Sequence, residues 1–251
     1  MTTEDVLITR TDALTHIRLN RPHKRNALTV AMYAAMADAL TGAETDGTAV
    51  VLISGAGTGF SAGNDLIDFM HNRTDEPNPP VQRFLHAIAR STRILIATVQ
   101  GNAVGVGTTL LLHCDFVLAE PDAVLTMPFT DLGLVPEAGS SLLLPRAIGH
   151  QRAAALMLLG EPLPAARAEA IGLVNRVVAA GHGVAEAEAL AVRLLAKPRT
   201  ALLATKRLMK SPNTDLAGRM AEEGTAFAEG LRSPEFASIA AKFFAARTKA
   251  A

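Results

Sequence analysis

The stretch Val50-Val51-Leu52-Ile53-Ser54-Gly55-Ala56-Gly57-Thr58-Gly59-Phe60-Ser61-Ala62-Gly63-Asn64-Asp65 decides how the fold is read. Residues 49–53 are a short apolar, β-branched run, as a buried parallel strand requires. Glycines follow, and then a helix begins. Strand, glycine turn and helix in that order admit a dinucleotide-binding loop. That fingerprint wants glycine at its sixth position, where the helix packs close to the sheet, and Phe60 stands there. A plain glycine turn is the simpler reading. The small residues Ser61 to Gly63 then sit at the entry to a helix, where unpaired amide hydrogens point outward and can hold a developing negative charge.

A second glycine cluster, Gly101-Asn102-Ala103-Val104-Gly105-Val106-Gly107, is again read as a turn between a buried strand (Ile94 to Val99) and a helix (Thr108 to His113). It offers a second amide donor by the same geometry. Taken singly, each cluster is ordinary turn chemistry; two donors together make an oxyanion hole.

Working outward, strands are expected at Val6 to Thr9, Thr15 to Asn20, Phe116 to Ala119 and Ala123 to Met127. Thr29 caps a helix carrying Met32, Met36 and Leu40, with Gly42 as its stop. A short helix runs through Met70, the polar, proline-rich Asn72 to Pro80 reads as a mobile surface loop, and Val81 to Ser91 is helical. A strand, strand, helix rhythm returns about every 45 residues, which suggests stacked ββα turns in place of one open sheet. From His150 onwards helices dominate: His150 to Leu159, Ala165 to Ala170, Val184 to Ala196, Thr200 to Lys210, Thr214 to Leu231 and Pro234 to Ala246. Only Leu173 to Val178 looks like a strand there. The expectation is an α/β core over residues 1–190 followed by a helical region over 191–251.

Composition narrows the function. The 251 residues carry 24 Lys+Arg against 24 Asp+Glu, no Trp and one Tyr, so neither field nor stacking rings favour nucleic acid or an anionic membrane. The single Cys114 excludes an internal disulfide and a multi-thiolate metal site, and the histidines show no metal spacing; His113 beside it reads as buried packing. No apolar run spans a bilayer and Met1 to Arg10 does not look like a signal peptide, so a cytoplasmic protein without a metal or redox cofactor is expected.

Taken together, Ile17-Arg18-Leu19-Asn20-Arg21-Pro22 with Asn26-Ala27-Leu28, Val50 to Gly55, Phe60-Ser61-Ala62-Gly63-Asn64-Asp65-Leu66, Gly101 to Gly107 and Ala170-Ile171-Gly172-Leu173-Val174 resemble the crotonase (enoyl-CoA hydratase/isomerase) superfamily in order and spacing, over nearly the whole chain. The resemblance implies a crotonase-like spiral of ββα turns, a helical C-terminal trimerisation region, acyl-CoA thioester substrates and a homotrimer or homohexamer. By position, its two oxyanion amides fall on Asn64 and Val106; valine keeps the donor while crowding the acyl pocket. Coenzyme A, part of the substrate, would be gripped near Lys24, Arg25 and Ala27, although a solvated basic loop accounts equally well for those cations. Ala62, Asp65, Phe129 and Leu132 complete the expected substrate contacts, with helix capping as the stronger reading of Asp65.

Hydratases of the superfamily use two glutamates, and here those positions hold Thr109 and Phe129. A carboxylate occurs instead at Glu137, in Leu134-Val135-Pro136-Glu137-Ala138-Gly139-Ser140-Ser141, a pattern that resembles the peroxisomal-type Δ3,Δ2-enoyl-CoA isomerases. One base suffices for a double-bond shift, because C2 and C4 are close enough for it to serve both. Leu132, Val106 and Phe129 are expected to desolvate Glu137 and raise its pKa. The structural alternative is a helix-start carboxylate ahead of Ala138 to Leu144. Hydratase, other lyase or hydrolase chemistry, and a silent acyl-CoA binder remain as alternatives. Ser140 and Ser141 have no nearby His with which to form a hydrolase triad.

Overall fold

The structure, a computed structural model, describes residues 4–71, 79–211 and 215–248, with side chains through residue 241. In chain order its strands are β1 (Val6–Thr11), β2 (Leu14–Leu19), β3 (Val50–Gly55), β4 (Ile94–Val99), β5 (Asn102–Val104), β6 (Phe116–Ala119), β7 (Val124–Thr126), β8 (Leu163–Pro164) and β9 (Arg176–Val177). The helices are α1 (Val30–Ala43), α2 (Leu66–His71), α3 (Pro80–Arg90), α4 (Val106–Thr109), α5 (Ser140–Ile148), α6 (His150–Leu158), α7 (Ala165–Ala170), α8 (Gly183–Leu195), α9 (Arg199–Lys210), α10 (Leu216–Leu231) and α11 (Pro234–Thr248). Two compact units divide the chain, residues 1–193 and 194–251.

The first unit holds both sheets, ordered β1-β2-β3-β4-β6-β9 and β5-β7-β8. Every residue of β3 and β4 is buried, as central parallel strands covered on both faces must be. β2 runs parallel to β3, β3 to β4 and β4 to β6, while β1 closes the edge as a hairpin with β2. The spiral shows in how each turn reaches the second sheet. β5 follows β4 and β7 follows β6, and single parallel bridges, Leu28 to Asn64 and Ser61 to Ala103, carry the two preceding turns alongside. Stacked ββα turns, expected from the sequence, are the architecture.

Several details differ from the sequence reading. β2, β3, β4 and β6 begin at residues 14, 50, 94 and 116, so the expected even period fails. The last turn is short because the four-residue α4 and a 3-10 turn (Leu110–His113) replace a full helix. The segment from Gly101 to Gly107 is not simply a turn, because β5 lies inside it. Gly42 does not stop α1; the helix runs on to Ala43, whereas Thr29 caps its start by accepting the Met32 amide at 3.2 Å. Leu173 to Val178 yields only the two paired residues of β9, and β8 and α5 add elements. Pro80 opens α3, and the rest of the expected loop, residues 72–78, lies outside the described residues.

The core of this unit packs α1 and α3 with the sheet, through Met32, Met36, Leu40, Phe84 and Ile88 together with Val51, Ile53 and Leu95. In the second unit α9, α10 and α11 are consecutive neighbours, and α10 leaves Leu216, Met220 and Phe227 exposed. No helix among the described residues is long and apolar enough to cross a membrane.

Candidate active site

Three backbone segments lie side by side and build the site. Residues 25–28 join residues 61–65 through Ala62 N–H to Arg25 O (2.9 Å), Leu28 N–H to Gly63 O (2.8 Å) and Asp65 N–H to Leu28 O (2.9 Å). Residues 61–65 in turn join β5 through Ser61 N–H to Asn102 O (3.0 Å) and Val104 N–H to Ser61 O (2.9 Å). The Ser61 hydroxyl, fully buried, donates to Asn26 O at 2.9 Å and accepts the Gly63 amide at 3.2 Å. These bonds use the neighbouring amides. Those of Asn64 and Val106 donate to no acceptor among the described residues.

Both residues line one cavity of ≈ 100 Å³, together with Ala62, Leu66, Val104, Gly105, Phe129, Leu132 and Leu134. Two glycines permit the close approach. Gly63 sits at φ +85°, and a Cβ there would lie 2.8 Å from the Val104 carbonyl oxygen. A Cβ on Gly107 would press on Ser61 at 3.1 Å. Thr108 ties the second loop down through its hydroxyl, 2.6 Å from Ala103 O.

Glu137 lies in the loop between a 3-10 turn (Thr130–Leu132) and α5. Its Oε1 is buried without a hydrogen-bond partner among the described residues, and burial raises its carboxyl pKa above the usual 4.5. The helix-start alternative finds no bond to support it, because Gly139 occupies the cap and no side chain caps α5. The Glu137 backbone is instead pinned: its carbonyl accepts the Ser140 hydroxyl at 2.6 Å and the Ser140 amide at 3.0 Å. The next residue, Ala138, is held at φ +56°, a left-handed conformation costly for a non-glycine residue, with its carbonyl 2.8 Å from His113 Nε2. His113 thus does more than pack.

Of the residues expected from the sequence, Ala62, Asn64, Val106, Phe129 and Leu132 meet at the cavity. Leu132, expected to help desolvate Glu137, is 54% exposed. Asp65 lies outside the cavity wall: its two oxygens hold Arg21 at 2.8 Å and the Asp68 amide at 3.1 Å, which starts α2 and keeps its carboxyl below the usual range. Lys24 and Arg25 are exposed on the turn after Pro22, and Ala27 offers its carbonyl to Arg21 at 3.1 Å.

Sequence reasoning missed Tyr33. Its only signal there was being the chain's one tyrosine, set in an apolar helix. It is fully buried, its hydroxyl donates to Asn64 Oδ1 at 2.5 Å, and its pKa is driven well up by burial and, secondarily, by the Glu137 charge. Glu137 itself is not among the residues that line the cavity.

The pKa of Glu137 has a consequence for stability. Between the ordinary carboxylate pKa and the raised native one, the folded chain keeps a proton that the unfolded chain releases. Stability therefore falls as pH rises through that window, and the cost is fully present above it. Glu137→Gln is expected to raise Tm at neutral pH, with the difference vanishing in acid below the ordinary carboxylate range. Thermal unfolding followed across pH checks this; an equal Tm difference at all pH values would contradict it.

A spiral of ββα turns that brings to one apolar cavity two residues whose amides have no acceptor among the described residues fits the crotonase class of α/β proteins. The family model described as enoyl-CoA hydratase/isomerase matches residues 9–237. A solved structure from Magnetospirillum magneticum AMB-1, titled as an enoyl-CoA hydratase/carnithine racemase, superposes with a TM-score of 0.92 at 42% identity, covering 96% of each chain. The 1,2-epoxyphenylacetyl-CoA isomerase of Escherichia coli (strain K12) is 35% identical over 248 residues, 88% of this chain and 93% of that one. Enoyl-CoA delta isomerase 2 of Rattus norvegicus is 38% identical over 178 residues, 68% of this chain and 46% of that protein, so the chain spans about half the rat protein's length. The chain belongs to the enoyl-CoA hydratase/isomerase family, whose members act on acyl-CoA thioesters.

Proposed function

We propose that the chain is an enoyl-CoA isomerase that moves a 3-enoyl-CoA double bond to the trans-2 position. The observation that carries this reading is the Glu137 carboxylate, whose Oε1 is buried with no hydrogen-bond partner among the described residues. At the positions where hydratases carry acids, Thr109 is buried with its hydroxyl 3.5 Å from Val106 O, and Phe129 is part of the apolar wall. Neither can activate water. The relatives from E. coli and rat are both named as isomerases, which supports a reaction with no water added.

The Glu137 carboxylate removes a proton from C2, the electrons spread into a dienolate, and its charge collects on the thioester oxygen. The Asn64 and Val106 amides hold that oxygen. Glu137, now a carboxylic acid, returns the proton to C4, so atoms and charge balance and the double bond lies between C2 and C3. Its raised pKa brings the base closer to the weakly acidic carbon it must deprotonate. No metal or redox cofactor takes part in this scheme.

The test follows ultraviolet absorbance of the conjugated enoyl thioester. Absorbance rising from a 3-enoyl-CoA supports isomerisation. Absorbance falling from a 2-enoyl-CoA shows hydration and overturns the assignment.

A further inference from the structure

Tyr33 sits on α1, its ring edge-on to Phe69 of α2 (5.9 Å between centroids) and to Phe84 of α3 (5.4 Å). A phenylalanine would fill the same space. The hydroxyl is therefore the part that packing does not explain, and burying it is costly unless it is hydrogen-bonded. Its proton goes to Asn64 Oδ1, on a residue that lines the cavity and whose backbone amide has no acceptor among the described residues. The Glu137 charge adds to burial in raising the pKa of the same hydroxyl.

We infer that Tyr33 is a positioning residue for the reaction: its hydroxyl anchors the Asn64 side chain to α1 and so keeps the Asn64 amide aimed at the thioester oxygen. This rests on the isomerase site described above. Gly63 gives the segment a backbone that only glycine adopts readily, and such a segment needs an anchor to hold one orientation. The charge on the oxygen is greatest in the dienolate-like transition state, so a misaimed donor slows turnover more than it weakens substrate binding.

Wild type, Tyr33→Phe, Asn64→Ala and the double variant are compared in two assays: isomerisation of a 3-enoyl-CoA, and exchange of the C2 protons of butyryl-CoA in deuterium oxide followed by NMR. The second needs only the base and the hole. Tyr33→Phe is expected to lose about tenfold in kcat, with KM and Tm nearly unchanged. Asn64→Ala, which leaves the aromatic cluster intact, should lose as much, and the double variant should be no worse than Asn64→Ala alone. Wild-type kcat in Tyr33→Phe, losses that multiply in the double variant, or a loss that tracks a lowered Tm would each overturn the inference. If wild type exchanges protons without isomerising, the isomerase reading fails while the Tyr33 comparison is still decided by exchange. Wild-type silence in both assays defeats the site reading and this inference together.

Discussion

Glu137→Gln is expected to keep the fold and lose about 10²–10⁴-fold in kcat for the double-bond shift, the usual contribution of a positioned base. The amide is close in shape to the carboxylate and removes only the ability to accept and return a proton. Because Glu137 Oε1 makes no hydrogen bond among the described residues, the substitution breaks none there. Loss of rate together with a raised Tm at neutral pH would mark a residue that costs stability in exchange for function. In wild type, the acid limb of kcat/KM should lie above the ordinary carboxylate range, since protonated Glu137 cannot act as a base and burial raises its pKa. A variant with full activity would remove Glu137 from the mechanism. A limb at the ordinary pKa would contradict its burial.

Gly63→Ala is the second large effect. The added methyl would lie 2.8 Å from the Val104 carbonyl oxygen, and the obstacle is backbone of β5, which cannot rotate away. The segment carrying Asn64 must then move off the segment carrying Val106, and the two donors no longer converge. A loss of about 10²–10³ in kcat is expected, the cost of one oxyanion-hole donor. Gly47→Ala is the control: it shares a positive φ, +93°, but has nothing within 4 Å of the new methyl. It should pay only the backbone penalty of about 1–2 kcal/mol, with wild-type kcat. Steady-state kinetics beside thermal unfolding separate the two; equal kinetic losses in both variants would show that strain alone, and not separation of the donors, is responsible.

Much of this was legible in the chain itself, for a local reason. Buried parallel strands must be short, apolar and β-branched, so 49–53 and 94–99 announced β3 and β4 without any tertiary information. Thr29 as a cap and the glycines at 63, 101 and 105 are likewise signals that a residue carries in its own stereochemistry. The order of the motifs pointed to the family, and with it to Asn64 and Val106. Even the departure at Thr109 and Phe129, and the carboxylate at Glu137, could be read before any coordinates.

What the sequence could not give were relations between distant segments. The even repeat failed because the turn between β4 and β6 replaces a full helix with α4 and a 3-10 turn. Asp65 was read both as a cap and as a substrate contact; Arg21, 44 residues away, takes one oxygen while α2 takes the other. His113 looked like core packing until Ala138 O was found 25 residues on, braced beside Glu137. Tyr33 carried no motif, and its meaning came from Asn64, 31 residues away. Strand character, caps and glycine turns are fixed by forces within a few residues, so sequence by itself determined most of the strands and helices and the two glycine loops. Which buried hydroxyl meets which amide, and how far a carboxylate is removed from water, depend on the stacking of successive turns, and only the tertiary structure decided them.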